Sequence, residues 1–187
     1  EIMNTSDTKT VEIRVGENTS GFVMELWTEL PNILSISLTS PSGRVRPAFP
    51  FVREQAQLSI SFENNKDLHH YRLFVESTAS ELFIFVFSDA ASGIWKLVVE
   101  PVQIIDGDFH IWLPVREFLS GEVYFLNSNP YYTLTAPSDS VQPISVSYYD
   151  SSNNGLALSS GRGFTRTEQV KPDFTAPGIS ITGALPG

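Results

Sequence analysis

The chain contains no cysteine. That excludes a disulfide framework and any thiolate-held metal, and it leaves the redox compartment open. Cations are scarce: 12 Lys and Arg face 21 Asp and Glu, a formal net charge of −9. An acidic surface repels nucleic-acid phosphates and anionic lipid, so neither a nucleic acid nor a membrane is expected as a partner. No apolar run reaches the roughly 18 residues of a helical membrane span. The start, Glu1 to Thr10, is polar and lacks both the apolar stretch of a signal peptide and an initiator Met, so it reads as cut from something longer. Sustained helical periodicity is also missing, apart from a possible turn at Val115–Leu119.

What the chain does have is aromatic, short-period patterning. Hydrophobic residues make up 41% of the 187, enough for a core, and the 18% charged fraction is too low for a disordered tail. Length allows one domain of about 100–150 residues plus a remainder. Aromatics reach 12% and favour pleated, half-buried surfaces. Residues Thr10–Val15, Gly21–Thr28, Ile33–Leu38 and Gln57–Glu63 alternate apolar with polar positions. His70–Val75, Ile94–Val99 and Phe109–Leu113 continue the strand pattern, and Glu81–Phe87 is solidly apolar, as in a strand buried on both faces. Turn residues separate these runs at Gly16–Asn18, Leu30–Asn32, Ser40–Gly43, Asn64–Asn65, Ala91–Gly93 and Asp106–Asp108. About eight such strands predict an antiparallel β-sandwich, with a jelly roll the leading topology. A lipocalin-like barrel fits less well, because the stretch after Gly43 is long and proline-broken.

The character changes after Asn127. Ile144–Asp150 reads as a strand, Ser151–Gly155 as a turn, and Leu156–Gly163 as an apolar start to a Gly/Ser-rich bend. Prolines recur at 137, 143, 172, 177 and 186, leaving few places to bury apolar side chains locally. Pro172 predicts extended backbone, and the Pro177-Gly178 pair a tight turn of the kind in which a glycine can adopt a positive φ.

Within this tail Lys171–Gly178, KPDFTAPG, resembles the K-P-D-x-x-A-P-G segment of the subtilisin-like serine proteases, the subtilases. Upstream, Ser159–Thr165 (SSGRGFT) is similar to that family's S-S-R-G-x-T strand end, with Gly161 where Ser or another small residue is usual. Thr133–Asp150 resembles the small-residue segment and V-I-T-V-G-A-type strand before it, with Ser145 and Ser147 replacing the usual Thr and Gly. Three matches in family order make the identification. The β-rich part resembles the jelly-roll insert of clostridial Csp-type subtilases, through Val11–Val15, Leu26-Trp27, Ser40–Gly43, Ile111–Pro114 and Thr133–Thr135. The resemblance implies a jelly-roll β-sandwich insert domain at 1–130 and a partial subtilase catalytic-domain segment at 131–187.

The family's D-T/S-G, H-G-T and G-T-S motifs are absent from these residues, and its oxyanion asparagine precedes the insert. A subtilase needs a Ser nucleophile, a His base, an Asp that orients it and an oxyanion donor. No catalytic, cofactor-binding or metal residue is therefore assigned, and no cofactor is expected. The resemblance implies a fragment of a serine endopeptidase, inactive by itself and serving as a structural or regulatory insert. Its partners would be the remainder of the parent catalytic domain and, for the parent, a peptide or protein substrate. A carbohydrate- or protein-binding sandwich module is the alternative. An independent cupin-like enzyme lacks the histidine cluster it would need.

Other chemistry-bearing residues read as structural. His69 and His70 are adjacent on a strand and point to opposite faces, so they cannot easily share an ion with each other; they and His110 read as polar surface or interface residues. Glu63, Asn64, Asn65 and Asp67 could offer oxygens to Ca²⁺, yet first form a solvated turn. Asp106-Gly107-Asp108 reads as a hairpin turn. Trp27, Trp95 and Trp112 lie inside apolar strands, favouring core packing over sugar stacking. Ser159 and Ser160 lack a nearby histidine and a nucleophile elbow. Asn4 and Asn18 stand in glycosylation-acceptor tripeptides, a short pattern.

Overall fold

Alternating apolar and polar residues become alternating buried and open positions in a computed structural model that describes residues 7–46, 56–63 and 66–183. In β1 (Lys9–Val15), Ile13 and Val15 are buried while Arg14 between them is open. The same period-2 rule sends Phe22, Met24 and Leu26 of β2 (Gly21–Glu29) and Leu34, Ile36 and Leu38 of β3 (Ile33–Thr39) inward. The chain divides into two compact units, Glu1–Ser128 and Asn129–Gly187.

The first unit carries β4 (Val45–Arg46), β5 (Ala56–Glu63), β6 (Lys66–Val75), β7 (Ser80–Ser88), β8 (Gly93–Gln103), β9 (Phe109–Trp112) and β10 (Val123–Phe125) besides the first three strands. Two five-stranded sheets form, ordered β10-β1-β8-β3-β4 and β5-β6-β7-β2-β9. All their pairings are antiparallel. The nesting of β1 with β8 and β2 with β7 follows a jelly-roll wrap, in which the chain keeps changing sheet. One hydrophobic cluster joins the inner faces: Ile13, Ile36 and Leu97 from one sheet meet Met24, Phe85 and Phe109 from the other. Phe87 of β7 meets Trp95 of β8 edge to face at 5.3 Å, so the two sheets touch as a sandwich. Trp95 is a core residue, its Nε1 donating to the Ala91 carbonyl at 2.9 Å.

One turn does a different job from the one its residues suggest. Asp106-Gly107-Asp108 joins β8 to β9, which lie in different sheets. It is thus an inter-sheet crossing and no hairpin. Its shape is set from afar: the buried Asn32 Oδ1 accepts the backbone N–H of Ile105 at 2.7 Å and of Asp106 at 3.3 Å. The possible turn at Val115–Leu119 is present as a single 3₁₀ turn, Arg116–Phe118. Glu81–Phe87 does bury both faces in part: Phe83, Phe85 and Phe87 point into the core, while Leu82 on the opposite face is also buried.

The second unit holds a three-stranded sheet ordered β12-β11-β13, with β11 at Val146–Asp150, β12 at Gly155–Leu156 and β13 at Phe174–Pro177. β11 and β12 are antiparallel; β11 and β13 are parallel, with Val146 opposite Phe174 and Tyr148 opposite Ala176. The chain is mainly β, and no α-helix occurs among the described residues.

Candidate functional site: three segments around Lys171

The second unit is built where the three family-like segments meet, so it is the natural place to look for function. At its centre lies Lys171, a long cation only 8% exposed. Burying an ammonium is costly unless it is paired and hydrogen-bonded. Here Nζ donates to Asp173 Oδ2 at 2.7 Å and to the Pro143 carbonyl at 2.8 Å. The same Oδ2 accepts the Ser145 backbone N–H at 2.7 Å and its hydroxyl at 3.2 Å. Asp173 returns the link with its own N–H to the Ser145 carbonyl at 2.9 Å. Residues 143–145 and 171–173 are thereby locked together just ahead of the parallel pair β11–β13. The Lys171 ammonium first, and the Ser145 N–H next, hold the Asp173 carboxyl below the ordinary value of 3.8.

The middle segment is tied in from two sides. The Ser160 hydroxyl is buried and accepts the Tyr148 N–H of β11 at 3.0 Å. Tyr148 Oη and Ser159 Oγ are 2.6 Å apart. The Thr133 N–H donates to the Arg162 carbonyl at 2.9 Å, and the Arg162 N–H returns to the Thr133 hydroxyl at 3.0 Å. Gly163 sits so close to Lys171 that a Cβ there would lie 1.6 Å from the Lys171 carbonyl oxygen. No side chain fits, which explains the glycine physically.

The departures from the family pattern now have a structural use. Ser147, where Gly is usual, is buried and shares a hydrogen bond with the Thr175 hydroxyl across the parallel pair. Ser145, where Thr is usual, keeps the hydroxyl that Asp173 accepts. Gly161 lies against Thr133 and Leu134, where a Cβ would come within 3.2 Å of both. Gly178 has no positive φ; the left-handed residue of the following bend is Ser180, at φ 55°. Glycine is required at 178 for another reason: a Cβ would be 2.4 Å from Cβ of Tyr148.

Chemically the arrangement is a clamp. No histidine occurs in residues 129–187, so none of its serines has a histidine base within the unit. The Ser159 and Ser160 hydroxyls are engaged with Tyr148. Of the other residues considered, His110 stacks on Trp112 at 5.2 Å in the first unit. His69 and His70 lie on β6, opposite Val86 and Phe85, with side chains outside the described residues. Asn4, Asn64 and Asn65 also lie outside them, as do the side chains of Glu63 and Asp67. Asn18 occupies a left-handed turn between β1 and β2, with φ 59°. No group of three or more potential metal ligands occurs among the described residues. The contacts of Pro143 and Ser145 with Lys171 and Asp173 escaped sequence reading, because a spacing of 28 residues between Ser145 and Asp173 carries no local signal.

No family model and no curated protein matches the chain. Among solved structures, that of the Clostridium perfringens CspB protease is similar, with a TM-score of 0.80 and 25% sequence identity. The match covers 96% of this chain and 38% of that one, so the chain spans little more than a third of the protease's length. The likeness runs through sandwich and clamp alike and supports a relation to Csp-type proteases.

Proposed function

We propose that this chain is a non-catalytic piece of a subtilisin-like serine endopeptidase, a jelly-roll insert followed by a strand-and-loop portion of the catalytic domain. The observation that carries the reading is the clamp. Thr133–Asp150, Ser159–Thr165 and Lys171–Gly178, picked out by family-like motifs alone, are bonded to one another around a buried Lys171. The similarity to the CspB protease over 96% of the chain supports it independently. The parent would hydrolyse peptide bonds with a serine, histidine and aspartate outside these residues. The sandwich would act as a structural or regulatory insert, a role that suits an architecture whose two ends come close together.

The test uses the gene product that contains this chain. Fluorophosphonate labelling followed by peptide mapping is expected to find one modified serine, outside residues 1–187. Labelling at Ser159 or Ser160 would overturn the non-catalytic assignment. Absence of both labelling and hydrolysis of a generic peptide substrate would overturn the protease reading.

A further inference from the structure

Trp27 and Trp112 do not join the core cluster, so the packing expected of the three tryptophans falls to Trp95 alone. In β2 the inward positions are Phe22, Met24 and Leu26, and Glu25 and Trp27 therefore face outward. In β9 Phe109 and Ile111 pack on the core, and His110 and Trp112 face outward beside them. Register sets these four in a square: Glu25 stands opposite Trp112, and Trp27 opposite His110. Within it Trp27 Nε1 donates to Glu25 Oε2 at 2.9 Å. The His110 and Trp112 rings stack with 5.2 Å between centroids and 7° between planes. On β7, Leu82 is the register partner of Trp27 and Ile84 that of Glu25. Leu82 is only 7% exposed although it points away from the core, so its outward neighbours cover it.

The two outer faces of the sandwich differ in charge. On one, Lys96 pairs with Glu12 and the signs cancel. On the other, β2, β7 and β9 contain no lysine or arginine. Glu25 is half-buried there, and among the described residues its one bond comes from an indole. A half-buried carboxylate is stabilised by a cationic donor. Indole faces attract the same kind of group through the ring quadrupole. A guanidinium satisfies both at once, being planar, able to stack on a ring, and able to give two parallel N–H groups to a carboxylate. Cross-strand neighbours stand about 5 Å apart, so one guanidinium can reach both.

Other occupants fit less well. A second copy of this chain would bring net −9 against net −9 and set carboxylate against carboxylate. A saccharide would stack on the indoles, yet its hydroxyls would find one carboxylate amid Leu82 and Ile84.

We propose that the Glu25–Trp27–His110–Trp112 square recognises an arginine side chain presented by a separate protein. Trp27 and Trp112 supply the stacking surface and Glu25 the counter-charge. Leu82 and Ile84 offer apolar ground to the residues beside that arginine. The site lies on the sandwich and does not rest on the protease reading above.

Isothermal titration calorimetry tests this on the gene product, treated first with a fluorophosphonate so that no activated serine cleaves the probe. Glycyl-arginyl-glycine amide is expected to bind about tenfold more tightly than its citrulline counterpart, which keeps the shape and lacks the charge. Glu25→Gln should remove that advantage, and Trp112→Leu should weaken arginine binding about fivefold. Glu12→Gln, which removes the same charge from the other outer face, should leave it unchanged. Glu25→Gln is nearly isosteric, so lost binding with an unchanged urea midpoint marks the site and not the fold. Equal binding of the two peptides would overturn the proposal. So would an equal loss in Glu12→Gln and Glu25→Gln, the mark of general attraction to an acidic surface. Binding of a β-linked glucose oligomer without preference for the arginine peptide would overturn it in favour of a saccharide. Failure of the gene product to bind either peptide would overturn it by showing the square covered.

Discussion

Of the buried hydrophobic residues among those described, those from Ile13 to Val123 all belong to the sandwich, while Ala157 alone belongs to the second unit. The second unit buries Lys171 and hydroxyls instead. The sandwich excludes water with side chains from two facing sheets, the dominant favourable term in folding. The second unit relies on directed hydrogen bonds, whose net contribution is modest because water offers the same bonds to the unfolded chain. One unit has what an independent domain needs. The other has the geometry of a domain's interior without the apolar cover.

That contrast can be broken or sharpened by mutation, beginning with the largest effect. Phe85 is fully buried between the sheets. Phe85→Ala is expected to cost the sandwich about 3–5 kcal/mol through lost transfer energy and an unfilled cavity. Urea unfolding followed by tryptophan fluorescence measures it; a loss below about 1 kcal/mol would show that the core repacks freely. All three tryptophans lie in the first unit, so the signal reports the sandwich.

Gly163→Ala comes next. Its Cβ would overlap the Lys171 carbonyl oxygen, and backbone cannot step aside as a flexible side chain can. The expected loss is about 2–4 kcal/mol, confined to the second unit. Limited proteolysis should cut within residues 129–187 while the tryptophan-reported transition stays in place. A shift of both transitions together would mean the two units unfold as one.

Acid should act on the second unit through Asp173. Its folded pKa lies below its unfolded value of 3.8, so its stabilisation is present above that value and is lost as pH falls through the folded one. Proteolytic resistance of 129–187 is thus expected to fall below about pH 4. Asp173→Asn should lower resistance at neutral pH and flatten this dependence. A residual slope is expected from Asp150, also held low by the Ser152 N–H and hydroxyl. An unchanged profile in Asp173→Asn would show that the clamp carboxylate is not what acid releases.

The smallest effect belongs to the outer face of the sandwich. Lys96 and Glu12 pair at 3.1 Å across β8 and β1, both side chains substantially exposed. Solvent screens such a pair, so Glu12→Gln is expected to change stability by less than about 1 kcal/mol in urea. A larger change would mean the outer sheet face is less open to water than its exposure indicates.

The long sandwich strands were legible because one buried face imposes a period of two, as in Gly21–Thr28 and Ile33–Leu38. β4 and β10 were not, since Val45–Arg46 and Val123–Phe125 are too short to show a period and exist through pairing with β3 and β1. β13 was hidden differently. Phe174–Pro177 lies between Pro172 and Gly178, and proline argues against a strand. It becomes one because the Asp173–Ser145 bonds deliver it alongside β11, and past Pro177, which has no N–H to give, the Gly178 N–H donates to the Tyr149 carbonyl at 3.1 Å. The motif residues of the clamp could be read from sequence; their mutual contact could not.

Local pattern alone therefore determined the β class, the strands of the sandwich and the likeness of the tail to a protease segment. These properties depend on residues a few positions apart, through alternation, turn chemistry and short motifs. Tertiary structure decided which strands share a sheet, that Asp106–Asp108 crosses between sheets, and that Gly178 serves close approach to Tyr148. It also decided that Lys171 turns inward while Val146 and Phe174 turn outward. Those outcomes depend on partners up to dozens of residues away, and a local window cannot hold both ends of such a contact.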